Sequence, residues 1–135
     1  MIKGLAHMCF VVKNLDASLA FYRDRLGLTE TFDFRNDKGA RTGVYLHAGG
    51  RAFFELFEGS KPPEPYRNDR SYQHFCLEVD DIEATAADLR AKGIDVSPVT
   101  LGGDHSYQAW LADPDGNRIE LHMYTPESKQ RRAFT

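Results

Sequence analysis

The sequence predicts an α+β fold made of two tandem βαβββ modules, and an internal repeat carries this prediction. Residues 7–12 (HMCFVV) align without a gap with residues 74–79 (HFCLEV), 67 positions later (74 − 7). Residues 54–56 (FEL) recur as residues 119–121 (IEL), 65 positions later (119 − 54). Each copy also has one apolar pattern of helical period, followed by three short runs of strand character between turn residues. A duplicated unit of one helix and four strands accounts for these patterns.

The bulk composition limits the classes of function. At 135 residues the chain has the size of one structural domain, and 41% hydrophobic residues supply a core. A net charge of −3 without a Lys/Arg-rich block argues against a nucleic-acid partner. No apolar run approaches the roughly 18 residues of a membrane span, and the N-terminus lacks the apolar stretch of a signal peptide. We therefore expect a cytoplasmic protein.

The first module begins with an apolar strand over residues 5–12, in which alternate side chains face opposite ways. A helix follows, with Asn14 as its N-cap and an apolar stripe that ends near Leu26. Gly27 is placed to end this helix as a C′ residue. Three further strands are predicted, separated by Asn/Asp/Gly turns, over residues 28–35, 42–47 and 52–57.

The second module repeats this order. After the strand that starts at His74, Asp80 or Asp81 caps a helix that Gly93 ends. The remaining strands are predicted over residues 94–99, 107–112 and 117–124, with a hairpin turn at residues 113–116 (DPDG). The Pro-rich stretch between the copies indicates an extended linker. The predicted organisation is a first module at 1–59, a linker at 60–70, a second module at 71–125 and a tail at 126–135, all in one structural domain.

Four polar residues occupy strands whose other face is apolar. His7 and His74 lie on the first strand of each module, and Glu55 and Glu120 lie on the last. The apolar neighbours must face the helices, so each His and Glu share the opposite face of the sheet. A carboxylate in an apolar strand is costly unless it is paired or bound to a cation. Two histidines with two carboxylates therefore indicate a divalent metal site with open positions for substrate. Local His–Glu pairs without a metal are the alternative.

These residues resemble those of a known family. The chain is similar to the vicinal oxygen chelate superfamily, which includes glyoxalase I, bleomycin-resistance proteins and extradiol dioxygenases. The similarity covers about residues 4–125. It rests on His7 and residues 21–28 (FYRDRLGL), residues 54–56, residues 74–80 (HFCLEVD) and residues 113–121 (DPDGNRIEL).

The resemblance implies a cup-shaped mixed sheet around one divalent ion (Zn, Ni, Co, Fe or Mn) held by His7, Glu55, His74 and Glu120. Within the superfamily this ligand set is most similar to glyoxalase I. It implies a lyase or isomerase that chelates vicinal oxygens and shifts a proton through an enolate, with glutathione as a candidate co-substrate. Glu120 is the expected base and Glu55 the second carboxylate ligand or partner acid. A homodimer is expected by analogy. The alternatives are an epimerase, an extradiol-type dioxygenase, or a non-catalytic drug- or metabolite-binding protein.

Other polar residues are weaker candidates. The substrate-binding candidates are Arg23, Arg118, His105, Tyr107 and Trp110. An exposed loop position is the alternative for His105, and core packing is the alternative for Tyr107 and Trp110. We expect His47 and His122, near strand ends, to be solvated, although His122 shares a face with Glu120. Cys9 and Cys76 are expected to be reduced, because cytoplasmic thiols rarely form disulfides. The side chains of Cys9 and Cys76 lie on the same strand faces as those of His7 and His74, two positions earlier.

Overall fold

The computed structural model describes residues 1–134, and these form two compact units. The first is Met1–Pro65 and the second begins at Tyr66. Each unit has one four-stranded mixed sheet and one principal helical segment, which confirms the predicted α+β fold of two βαβββ modules. The predicted boundaries of the modules and the linker stay a prediction.

The first unit contains strands β1 to β4 in the sheet order β1-β4-β3-β2. Strand β1 runs parallel to β4, whereas β3 is antiparallel to both of its neighbours. The helical segment lies between β1 and β2. The bounds are β1 His7–Val12, helix α1 Leu15–Leu19, a π-helix Ala20–Arg25, β2 Thr29–Arg35, β3 Arg41–His47 and β4 Phe53–Glu58.

The second unit repeats this topology with strands β5 to β8 in the order β5-β8-β7-β6. Strand β5 is parallel to β8, and β7 is antiparallel to β6 and β8. The bounds are β5 His74–Glu78, helix α2 Ile82–Ala91, β6 Thr100–Leu101, β7 Tyr107–Ala112, β8 Arg118–Met123 and a 3₁₀ helix Lys129–Ala133. None of the helices in residues 1–134 has the length and apolarity needed to cross a membrane.

Both helix starts follow the sequence prediction. The side chain of Asn14 accepts a hydrogen bond from the backbone N–H of Ala17, and the side chain of Asp81 accepts one from Ala84. These bonds satisfy N–H groups that have no partner inside the helix. The first helix differs from a regular α-helix after Leu19, where it continues as a π-helix. Gly27 follows with a φ of 79°, the left-handed conformation expected at a helix end.

The predicted strand over residues 94–99 is wrong, because only Thr100–Leu101 pairs with β7 as a regular strand. The hydroxyl of Ser97 takes over a ladder position by accepting the backbone N–H of Trp110 at 2.8 Å. Pro98 has no N–H to donate to a ladder. The guanidinium of Arg90 donates hydrogen bonds to the backbone carbonyl oxygens of Val96 and Ser97. Ile94 is buried and the backbone N–H of Ser97 still donates to the Trp110 carbonyl, so the segment keeps some contacts of a strand without forming a regular ladder.

The alternation of buried and exposed positions orients the sheets. In β1 and β4 of the first unit, Phe10, Phe54 and Leu56 are buried, while His7 and Cys9 are exposed on the other face. The second unit repeats this pattern, with Phe75, Ile119 and Leu121 in the core. The polar residues singled out in the sequence therefore share the sheet face that does not pack against the helix, as predicted.

The turn before β8 is held by one buried carboxylate. Asp113 is 6% exposed and accepts hydrogen bonds from the backbone N–H groups of Asp115 and Asn117 and from the Asn117 side chain. We expect Asp113→Ala to lower the free energy of unfolding by about 1–3 kcal/mol, because three donors lose their acceptor. Urea denaturation measures the change. Asp37→Ala, in an exposed turn of the first unit, is the matched control, with an expected change within about 0.5 kcal/mol. Equal effects of the two variants would contradict this account of the turn.

Candidate metal centre

The first unit brings His7 and Glu55 together across neighbouring parallel strands. Nε2 of His7 lies 3.1 Å from Oε2 of Glu55. The Glu55 side chain is 16% exposed and the His7 side chain is 46% exposed. The register explains the contact, since β1 and β4 pair Cys9 with Glu55 and His7 with Phe53. The two side chains therefore project from the same face, two positions apart along the sheet.

Tyr45 on β3 completes this group. Its hydroxyl donates a hydrogen bond of 3.0 Å to Oε2 of Glu55, the oxygen that also faces His7. Desolvation and this bond to the carboxylate raise the pKa of Tyr45 above its usual range. The phenol is therefore a protonated donor at neutral pH, and it fixes the orientation of Glu55.

The second unit repeats the pair with the same geometry. Nε2 of His74 lies 3.1 Å from Oε2 of Glu120, and the Glu120 side chain is 12% exposed. Trp110 on β7 pairs with Glu120 in the strand register, which is the position that Tyr45 holds opposite Glu55. The Trp110 ring meets the His74 ring edge-on at a centroid distance of 4.8 Å. Trp110 therefore packs against His74, whereas Tyr45 in the first unit donates a hydrogen bond to Glu55.

The prediction that His122 is solvated is wrong. The residue is 7% exposed, and its Nδ1 lies 3.0 Å from Oε1 of Glu120. Its Nε2 is buried with no hydrogen-bond partner among residues 1–134, and Oδ2 of Asp104 is 3.9 Å away. The signal was present in the sequence, because His122 follows Glu120 by two residues on one strand and so shares its face. The corresponding position beside Glu55 is Phe57, so this second histidine distinguishes the two units.

The two cysteines are free thiols and both are exposed. Desolvation and the charge of Glu120 raise the pKa of Cys76 to about 12, and desolvation with the charge of Glu55 raises that of Cys9. Cys76, Glu120 and His122 each offer one ligand atom, and these atoms lie within 4.8 Å of one another. The described residues therefore contain a Cys/Glu/His cluster of the kind that can hold a metal ion.

The two His–Glu pairs also fit a metal ion by their chemistry. Zn–N and Zn–O bonds of about 2.0–2.2 Å place neighbouring ligand atoms roughly 3 Å apart. The N–O distance of 3.1 Å in each pair is close to that spacing. Imidazole nitrogens and carboxylate oxygens together suit Zn, Ni, Co, Fe and Mn.

The substrate-binding candidates divide into engaged and accessible groups. Arg23 is held in ion pairs by Asp24 and Glu30, so its guanidinium is already neutralised. Arg118 lies two positions before Glu120 on β8, and its guanidinium carbon is 4.4 Å from the Trp110 ring centroid. Trp110 is half-buried on the same face as Glu120.

His105 and Tyr107 are exposed, and they line an open cavity together with Leu101, Thr125 and Glu127. His105 has a φ of 67°, a left-handed backbone that is uncommon outside glycine. Its carbonyl oxygen accepts a 2.6 Å hydrogen bond from the Thr125 hydroxyl. The segment that follows β8 therefore holds this loop in place.

An aromatic surface surrounds the pair of the first unit, and the sequence analysis missed it. The Tyr45 ring stacks on Phe32 at 4.6 Å and contacts Phe34 and Phe53 at 6.0 Å each. Phe32 and Phe34 are exposed. The alternation of Phe32 and Phe34 with polar residues in β2 was the available signal. Arg118 occupies in the second unit the strand position of Phe53, so one unit presents an apolar face and the other a charged one.

Comparison with known proteins decides the family. The sequence profile of the Glyoxalase/Bleomycin resistance protein/Dioxygenase superfamily matches residues 4–121, which is most of the chain. The chain belongs to this superfamily. Over 121 residues it is 31% identical to the lactoylglutathione lyase of Haemophilus influenzae, an alignment that covers 87% of this chain and 90% of that protein.

Two further relatives in the superfamily show its breadth. The glutathione transferase FosA of Serratia marcescens is 26% identical over 124 residues, with 91% of this chain and 82% of that protein covered. The crystal structure of a glyoxalase family protein from Enterococcus faecalis shares the fold with a TM-score of 0.76 at 24% identity, covering 89% of this chain and 97% of that one. The superfamily thus includes relatives of this chain that bear the names of a lyase and a transferase.

Proposed function

We propose that the protein is a metal-dependent lyase or isomerase of the glyoxalase I type, which chelates a small vicinal-oxygen substrate and shifts a proton through an enolate. The observation that carries the proposal is the repetition of one His–Glu pair at 3.1 Å in both units. The similarity to a lactoylglutathione lyase supports it. The proposed ligands are His7, Glu55, His74 and Glu120, with Zn, Ni, Co, Fe or Mn as the ion.

A bound divalent ion would supply Lewis-acid stabilisation of the negative charge that develops on the substrate oxygens. The protein must supply the base that moves a proton between adjacent carbons. Glu120 is the proposed base because its carboxylate is mostly buried and held between two imidazoles, at Oε2 by His74 and at Oε1 by His122. Such holding fixes the direction from which the carboxylate meets a substrate C–H bond.

Glu55 is the proposed partner acid or second carboxylate ligand. Its Oε2 faces both His7 and the Tyr45 hydroxyl, so its position is set by two donors. The two glutamates therefore have different neighbours, a phenol for Glu55 and a second imidazole for Glu120. This difference supports giving them different roles in the proton shift.

The substrate contacts follow from the surroundings of each pair. Arg118, on the face of Glu120, is the proposed partner for an acidic group of the substrate or of a glutathione co-substrate. In the first unit, the aromatic surface formed by Phe32, Phe34, Tyr45 and Phe53 is a proposed apolar contact beside the His7–Glu55 pair.

A homodimer is also proposed, and sedimentation velocity of the purified protein tests it.

Metal removal and replacement test the proposed activity. Bound metal is first removed from the protein with a chelator. The metal-free protein is then reloaded separately with Zn, Ni, Co, Fe or Mn and assayed with the hemithioacetal of methylglyoxal and glutathione. We expect turnover only after reloading, because the chelated substrate oxygens need a cation. Turnover that is equal before and after chelation would contradict the proposal. Oxygen consumption with a catechol, or conversion of an acyl-CoA epimer instead, would move the reaction to the dioxygenase or epimerase alternative.

Glutathione transfer is the second candidate function, and the similarity to a glutathione transferase favours it. The two reactions differ in whether they consume the free thiol of glutathione. A lyase of the glyoxalase type rearranges a thiol adduct, whereas a transferase joins glutathione irreversibly to a small electrophile. Titration of free thiol during turnover with an epoxide distinguishes them, since only the transferase consumes thiol with that substrate.

The Tyr45 hydroxyl is expected to strengthen metal binding through Glu55. We expect Tyr45→Phe to weaken the affinity for Zn²⁺ by about 10-fold, because partners of metal ligands typically contribute 10–100-fold. Competition with a chromophoric chelator measures the affinity. Tyr72→Phe, an exposed tyrosine in the second unit, is the control and should leave it unchanged. An unchanged affinity of Tyr45→Phe would show that the Tyr45 hydroxyl does not support metal binding through Glu55.

A further inference from the structure

The second unit holds donor atoms that the His–Glu pairs do not use. We propose that Cys76, Glu120 and His122 form a thiolate-containing site for a soft divalent cation, such as Zn²⁺ or Cd²⁺. Their ligand atoms lie within 4.8 Å of one another. Thiolate and imidazole ligands together favour such ions over Mg²⁺ or Ca²⁺. This site shares only Glu120 with the ligand set of the proposed function, and its existence does not depend on that function.

The two carboxylate oxygens of Glu120 can serve the His74–Glu120 pair and the Cys76/Glu120/His122 cluster at the same time. Its Oε2 lies 3.1 Å from His74, while its Oε1 lies 3.0 Å from Nδ1 of His122. Carboxylates bind cations through one or both oxygens. One oxygen of Glu120 therefore serves the His–Glu pair, and the other is directed toward the cluster.

The surroundings of His122 fit a ligand role. When Nδ1 donates its proton to Glu120, Nε2 is left as a buried acceptor without a hydrogen-bond partner in the part of the chain that the structure describes. A buried polar atom without a hydrogen-bond partner lowers the free energy of unfolding. When Nδ1 binds a cation, the ring proton moves to Nε2, which faces Oδ2 of Asp104 at 3.9 Å. A carboxylate behind the second nitrogen is the usual support of a ligand histidine.

Asp104 is itself held in place. Its carboxylate accepts hydrogen bonds from the backbone N–H of Ser106 and from the Gln130 side chain. The backbone of Lys129 also donates to the Asp104 carbonyl. The loop that carries the support for His122 is thus tied to the chain after β8, so the support does not need to form when the cation binds.

The thiol of Cys76 lies beside the other two donors. Cys76 pairs with Glu120 in the register of β5 on β8, so the two side chains project from the same face of the sheet. Binding a divalent cation forms the metal–sulfur bond and releases the thiol proton to solvent. Cys76 is exposed, so an ion can reach it.

The first unit provides an internal comparison. Cys9 pairs with Glu55 in the strand register as Cys76 pairs with Glu120. Phe57 stands where the second unit has His122, and a phenylalanine supplies no ligand atom. The same thiol and carboxylate therefore lack the third donor in the first unit.

Cobalt titration of the full-length reduced protein tests the site. Co²⁺ bound to a thiolate gives a near-ultraviolet charge-transfer band that Co²⁺ bound only to nitrogen and oxygen lacks. We expect this band in the wild-type protein and in Cys9→Ser, and its loss in Cys76→Ser. Cys76 is exposed and Ser is close in size, so the variant should fold, and circular dichroism checks this. His122→Gln should also weaken the band, as a second variant that leaves the thiol intact.

The outcomes separate this site from the proposed function. A band that persists in His7→Ala shows that the thiolate site does not need the His–Glu pair of the first unit, whether or not that variant retains turnover. Absence of the band in the wild-type protein, or a band unchanged by Cys76→Ser, would overturn the proposal. Neither of those results affects the His–Glu pairs, whose failure appears as metal-dependent turnover that does not need His7 or Glu55.

Discussion

Glu120→Gln is expected to lower turnover by about 10²–10⁴-fold, the range that a positioned general base contributes. The amide keeps the size of the side chain but cannot accept the substrate proton. It also loses the negative charge that faces both His74 and His122. Steady-state assays with the substrate identified by the metal-replacement experiment measure the effect.

A matched variant separates the base from a general loss of charge. Glu83→Gln changes an exposed carboxylate in the first turn of α2 in the same unit and should leave turnover within about twofold. Thermal melting of both variants shows whether the fold is retained. Full turnover in Glu120→Gln would rule out this residue as the base, and the assignment would then pass to Glu55.

Phe54→Ala is expected to have the largest effect on stability, with a loss of about 3–5 kcal/mol in the free energy of unfolding. The residue is 3% exposed, and its ring meets Phe10 at 5.5 Å and Tyr22 at 5.7 Å, both edge-on. Truncation leaves a cavity between β4 and the π-helix that carries Tyr22. Because Glu55 is the next residue, metal affinity should fall with the stability.

Phe32→Ala is the control for this substitution. Phe32 is 47% exposed and lies on the face of Tyr45, where it stacks at 4.6 Å. Its loss should cost less than about 1.5 kcal/mol, since one aromatic pair is removed and no buried cavity forms. Urea denaturation of both variants gives the comparison. A larger loss in Phe32→Ala would mean that the core lies on the other face of the sheet.

Much of the fold could be predicted because strand periodicity decides which face is buried. Phe54 and Leu56 flank Glu55, and the same alternation surrounds Glu120, so the sheet face of each glutamate followed from its neighbours. The caps at Asn14 and Asp81 were also readable, since their side chains need only local partners.

The misses share a physical cause, which is that the deciding contact is tertiary. Residues 94–99 have a strand pattern, but the Ser97 side chain replaces a ladder bond to Trp110, and no local rule reveals that exchange. The burial of His122 depends on the packing of the second unit around β8, and strand position alone predicted an exposed residue. The Phe32–Tyr45 stack likewise requires the register of β2 on β3.

Elemental analysis of the untagged protein tests the central account most directly. The wild-type protein is compared with His7→Ala, Glu55→Gln and His74→Ala, and with His47→Ala as a control, because Nε2 of His47 lies 3.0 Å from the Gly50 carbonyl oxygen and takes no part in either His–Glu pair. We expect a divalent metal in the wild-type and control proteins, and the loss of about one ion per chain in each of the other three. A metal content that is unchanged in those three variants, or no metal uptake from Zn, Ni, Co, Fe or Mn by the wild-type protein, would contradict the metal-ligand role of the His–Glu pairs.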